Sequence, residues 1–189
     1  MNLKYILLSI FIVLNSIVYY ITDKNTQSKI EYSKQNHMKT LQINYEVFMT
    51  TQANQADVIY ETTVNTIGLT DIIEKAWNTK DKFKRDSLRN ELHNLLKKRY
   101  LKLEKQGLLQ YHFVFPDNTV FLREHKPDKY GDNLSDVRYD FVKVNKTKKI
   151  VRGFSQGRTS HAFRNVYPIF NKENKHIGAM EISYPSELL

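Results

Sequence analysis

The run from Tyr5 to Ile21 is almost wholly apolar. It is about the length a helix needs to cross a bilayer, so the first two dozen residues are set apart from any soluble core. A cleaved leader would show a shorter apolar stretch followed by a small-residue cleavage site. Here Val18-Tyr19-Tyr20-Ile21-Thr22 follows instead, and paired tyrosines suit the membrane–water interface. Residues 1–22 are therefore expected to form an uncleaved transmembrane anchor. The short N-terminal tail would stay inside while the rest is exported, although Lys4 competes with Lys24 and Lys29 in setting that orientation. The expected location is the cell inner membrane, with the soluble part in the periplasm.

The remainder of the 189 residues suffices for one compact domain. With no cysteine in the chain, a disulfide framework, a thiolate zinc site and a cysteine nucleophile are excluded together. The formal charge of +9 raises the question of nucleic acid. Lys and Arg are interleaved with Asp and Glu along the whole chain, however, and form no basic stripe. Solvated helix faces and anionic phospholipid near the anchor are better uses of that charge, and no nucleic-acid partner is expected.

From Asp23 to about Thr66 there is neither Pro nor Gly, and Met38, Leu41, Tyr45, Phe48 and Ile59 recur at three-four spacing. That is one face of a long helix, packed on its own domain or forming the seam of a homodimer. Gln52 and Gln55 interrupt the stripe and weaken any strict coiled coil. Gly68 breaks the helix, and Asp71 with Glu74 has the form of a capping box opening the next. That second helical region is expected to reach about Gln106, with Leu88, Leu92, Leu95 and Leu103 on one side, Ile73 and Trp77 in the core, and Gly107 as terminator.

After Gly107 the period changes. Leu108–Phe115 and Val120–Glu124 are aromatic and β-branched, which predicts strands, with turn chemistry at Pro116-Asp117-Asn118-Thr119. A polar loop over 126–136 and a short helix over 136–149 come next, then strands at 150–154, 162–170 and 176–184. The three expected segments are thus an anchor (1–22), a long helical region (23–106) and a sheet module (107–189). Helices first and strands later indicate an α+β domain.

If Pro116–Thr119 is a four-residue loop, Phe115 pairs with Val120 and the register is set. His112 then lies opposite Arg123, Val114 opposite Phe121, and Gln110 opposite His125. One face carries Tyr111, Phe113, Phe115, Val120 and Leu122 and suits packing on helices. The other gathers His112, Arg123 and His125 beside Phe121 and Val114, an apolar surface with a few convergent polar groups, as in small-ligand pockets. Arg123 offers a planar fork matched to a carboxylate, and the imidazoles can donate hydrogen bonds or respond to pH. The alternative is a face wetted by solvent, which antiparallel sheets commonly have.

The pieces Leu109-Gln110-Tyr111-His112-Phe113, Pro116-Asp117-Asn118, Arg123-Glu124-His125-Lys126-Pro127 and Gly131-Asp132-Asn133-Leu134 occur in this order, closing with Tyr167-Pro168-Ile169 and Ile177-Gly178. The stretch they span resembles the extracytoplasmic Cache sensory modules of bacterial histidine kinases, diguanylate cyclases and chemoreceptors. That resemblance implies a PAS-like antiparallel sheet with long helices on one face and a small-molecule pocket on the other, under the loop and short helix. It implies a small organic anion or amino acid as ligand, with a displacement passed to the membrane. Family members carry a second transmembrane helix and a cytoplasmic output domain, which would lie beyond Leu189, as would any kinase or cyclase activity. The candidate ligand-binding set is His112, Arg123 and His125, with Arg138 as a second charge, Phe154 as an apolar wall and Tyr167 as a hydroxyl donor. Core packing accounts equally for Phe154 and Tyr167, and a surface salt bridge for Arg138. Asp132 reads as a loop or helix cap and Gly131 as a tight turn.

No nucleophile elbow, phosphate loop, dinucleotide fingerprint or metal-spaced histidine pair is present, so neither catalysis, cofactor nor metal is expected. A membrane-tethered adaptor that dimerises through residues 30–64 without a ligand is the alternative function.

Overall fold

The computed structural model describes residues 2–156 and 161–186; the outermost limits of the expected segments, Met1 and Leu189, lie outside them. The chain divides into two compact units, Met1–Val47 and Phe48–Leu189.

The first unit is the greater part of helix α1 (Leu3–Val64). Among the described residues this is the one helix long and apolar enough to cross a membrane. Its polar side chains are satisfied within the helix: Ser9, Asn15, Ser16 and Thr22 each donate to the carbonyl four residues earlier, at 2.8–2.9 Å. Such back-bonding lets hydroxyl and amide groups sit in an apolar run without an unmet hydrogen bond. Met38, Leu41 and Tyr45 are exposed.

In the second unit the last turns of α1, helix α2 (Leu69–Asn78) and helix α3 (Lys82–Glu104) cover one face of a sheet. Gly68 ends the first helical stretch in a left-handed conformation (φ 84°) and serves as N-cap of α2. The expected capping box does not form. Asp71 instead pairs with Lys172 at 2.8 Å, and Glu74 accepts from Asn171 at 2.9 Å. The second helical region is also two helices rather than one, because the Asp81 carboxylate accepts from the Phe83 and Lys84 amides and starts a new one. The buried stripe of α3 is Leu88, Leu92, Leu96 and Tyr100; Leu95 faces outward. Leu92 and Leu96 are each worth about 2 kcal/mol of burial. After α3, Leu108 N–H donates to the Leu103 carbonyl at 3.0 Å across Gly107 (φ 95°), a Schellman-type stop.

The sheet is antiparallel throughout, in the order β2-β1-β5-β4-β3, with β1 (Gln110–Val114), β2 (Val120–Arg123), β3 (Val151–Gln156), β4 (His161–Phe170) and β5 (His176–Pro185). Alternation sends Tyr111, Phe113, Tyr167, Met180 and Ile182 to the helices. Gly178 lies where β5 passes close to β1: a Cβ there would collide with the Val114 carbonyl oxygen. Helix α4 (Tyr139–Thr147) covers the opposite face through a second apolar cluster that includes Val114, Phe141, Val144, Val166 and Ala179.

The hairpin register differs from the expected one in an instructive way. His112 does face Arg123, but Val114 pairs with Val120, and Phe115 N–H donates to the Thr119 carbonyl. A bulge leaves Phe121 as the extra residue. Val120 therefore turns to the α4 side, while Phe121 joins Phe115 on the helix side, ring centroids 4.8 Å apart. The segment 131–134 then runs back along β2. Gly131 N–H donates to the Val120 carbonyl, Val120 N–H to the Asp132 carbonyl and Leu134 N–H to the Asn118 carbonyl, all near 3.0 Å. This segment covers a strand edge that would otherwise offer unpaired backbone groups.

Candidate functional site

On the face opposite the helices lies a hollow of about 750 Å³. Its floor is Gln110 and His112 of β1, Arg123 of β2 and Arg164 of β4. Its rim is the segment from His125 to Arg138, which contributes Lys126, Lys129, Asp132 and Val137 among others. Four of the six residues expected to bind ligand, namely His112, Arg123, His125 and Arg138, thus line one cavity.

Beneath them Glu181 sits on the central strand β5, fully buried, as the cross-strand partner of His112. Its carboxylate accepts from Arg138 Nη2 at 2.9 Å, from His112 Nδ1 at 3.3 Å and from Arg164 Nη1. Burial alone would raise its pKa, but Arg138, the His112 hydrogen bond and Arg164 together hold it well below the usual carboxylate range. Arg138 also grips Asp140 with two bonds, at 3.0 and 2.7 Å, and lies 4.6 Å from the centre of the Phe141 ring. Arg164 donates to Gln110 Oε1 at 2.6 Å.

The imidazoles are neutral at pH 7. Burial lowers the pKa of His112, against the pull of Glu181, and burial with the charge of neighbouring groups takes His125 down to about 4. Because ionised Glu181 can only accept, His112 carries its proton on Nδ1. His112 Nε2 and His125 Nδ1 are buried without a partner among the described residues, and a polar ligand group could satisfy them. Arg123 is engaged already: its two terminal nitrogens meet the two Asp132 oxygens at 2.8 Å each, and Nη1 also donates to the Lys129 carbonyl at 2.8 Å.

A family model described as a double sensory domain of two-component sensor kinase matches residues 34–185. The chain belongs to that family. Among solved structures, this Cache-type domain is similar to the Escherichia coli DcuS sensor domain at 14% identity and a TM-score of 0.54, covering 74% of this chain and 92% of that one. It is similar also to the extracellular domain of the putative histidine kinase vpHK1S-Z8, at 16% identity and a TM-score of 0.54. There it covers 76% of this chain but spans only 54%, about half, of the other. At these identities the likeness is one of fold. No curated protein sequence matches the chain.

Two expected site residues of the Cache domain lie elsewhere. Tyr167 is on the helix side of β4, its ring stacked on Tyr60 at 4.5 Å and its hydroxyl donating to Asp57 at 3.0 Å. Phe154 is on the same side of edge strand β3, exposed, with its ring 5.6 Å from Phe163. Strand parity sends both away from the hollow. Conversely, sequence reasoning passed over Glu181, Arg164 and the bridging role of Asp132. A visible signal existed for the first two: each is a charged residue inside an otherwise apolar strand, where burial demands a partner.

Proposed function

We propose that the Cache domain is the extracytoplasmic input module of a membrane signalling protein and binds a small organic anion or amino acid in this hollow. The observation that carries this is the convergence of Arg123, His112, His125 and Arg138 on one cavity beneath a polar loop. Cavities of this size suit small molecules, and a few placed polar groups fix orientation. Arg123 takes the anion, the imidazoles orient the ligand, and Arg138 supplies a second positive charge. On the far side of the same strands, Tyr60 of α1 stacks on Tyr167 and donates to the Pro168 carbonyl at 2.8 Å. A displacement of β4 and β5 on ligand closure would therefore be felt by the helix that continues from the apolar N-terminal segment.

Thermal-shift screening of the full chain in detergent against organic acids and amino acids tests the assignment. A ligand at about a hundredfold excess over its Kd should raise the unfolding midpoint by roughly 5–10 °C. Arg123→Ala should abolish that rise. An equal rise in the variant, or no rise with any compound, contradicts the assignment.

A further inference from the structure

The guanidinium groups of the hollow differ in how replaceable their carboxylate partners are. Arg138 and Arg164 both hold Glu181, whose side chain is fully buried. An incoming anion that took either arginine would leave that carboxylate without its partner in the protein interior, a heavily penalised arrangement. Arg123 is held by Asp132, whose side chain is about half exposed (53%) while that of Arg123 is nearly enclosed (15%). The half-exposed carboxylate can therefore swing into water rather than be left unpaired in the interior, and the guanidinium remains where β2 places it.

The backbone around Asp132 is pinned to Val120 on both sides, so release is a side-chain rotation. The second tie of Arg123, to the Lys129 carbonyl, binds the segment from Lys126 to Tyr130 to the same guanidinium. A ligand carboxylate that claims the fork thus breaks the Asp132 bridge and perturbs the rim in one event.

We propose that Asp132 is an intramolecular latch on the anion seat: it occupies Arg123 as a tethered carboxylate, and an anionic ligand binds by displacing it. This rests on the ligand hollow proposed above. The two parallel N–H···O bonds are the geometry by which a guanidinium grips any free carboxylate, so the ligand group favoured in exchange is a planar carboxylate. Asp132 accordingly sets the affinity of the site, since the binding-competent fraction is the fraction unlatched.

The test is calorimetric titration of the full chain in detergent with succinate and with L-glutamate, comparing the parent with Asp132→Asn, Asp132→Ala and Asp128→Asn. Asp128→Asn removes an equal charge from the same hollow and leaves the bridge to Arg123 in place. Both Asp132 variants should bind one of the probes roughly tenfold more tightly than the parent, as expected if the latch is shut in about nine molecules of ten. Asp128→Asn should stay close to the parent. A parent that binds while the Asp132 variants bind equally or more weakly overturns the latch alone. A gain in Asp128→Asn matching that in Asp132→Asn overturns it in favour of general charge. No binding by any variant overturns the latch together with carboxylate binding in the hollow.

Discussion

Glu181→Ala should lower the unfolding free energy by about 3–5 kcal/mol, the cost of leaving buried positive charge without its partner. Arg138 and Arg164 both lean on this carboxylate, with side chains only 12% and 4% exposed. Urea or thermal unfolding measures the loss. The milder Glu181→Gln keeps hydrogen-bonding capacity and removes the charge, so its signature is the pH dependence. Glu181 titrates well below 4.5 in the folded chain. Its stabilisation is therefore complete above the unfolded value and is lost as pH falls from about 4.5 toward the folded one. His125, depressed from 6.5 to about 4, adds a separate loss: the unfolded chain takes up its proton first, so stability falls between about pH 6.5 and 4. Glu181→Gln should flatten the lower part of the acid limb and leave the part beginning near pH 6.5. An unchanged acid limb in that variant contradicts the role given to Glu181.

Phe141→Ala should cost about 3–5 kcal/mol and loosen the α4 side of the hollow. The ring is fully buried between the helix and the sheet, meets His112 edge-on at 5.1 Å and lies under the Arg138 guanidinium. Its removal takes away the main apolar contact of a nine-residue helix, which is too short to persist unpacked. Hydrogen exchange should accelerate over 139–147 while the α1–α3 side keeps its protection. Uniform acceleration across the chain would show instead that α4 is not an independently docked element.

The architecture was largely legible in the sequence because its signals are periodic. Three-four spacing marks α3, alternation marks β1 and β5, and Gly68 and Gly107 stop helices through left-handed backbone that other residues adopt at a cost. The break at Asp81 was equally visible as an N-cap residue, but the helical pattern on either side masks it. The candidate site was legible to the extent that parity carries. His112 opposite Arg123 holds because it lies before the bulge, whereas Val120 and Phe121 exchange faces just beyond it. The turn closes one residue earlier than expected, Phe115 N–H on the Thr119 carbonyl with Asn118 in left-handed backbone. The Val120 backbone groups bond the return segment 131–134, a contact distant in sequence. Phe154 and Tyr167 lie off the hollow for the opposite reason. Their strands were found, but which face they share with His112 depends on the pairing of β4 with β5, a long-range fact. The Arg123–Asp132 bridge is a loop contact with no periodicity at all.

Hydrogen exchange of the full chain, with and without the compound that gives the largest thermal shift, locates the ligand most directly. Added protection should be confined to the β1–β2 hairpin and to 125–138, the floor and rim of the hollow. The helix side holds a second groove, of about 680 Å³, lined in part by Val58, Leu103 and Tyr184. Protection appearing there, with the hairpin and its rim unchanged, would contradict a ligand site built on Arg123 and the two imidazoles.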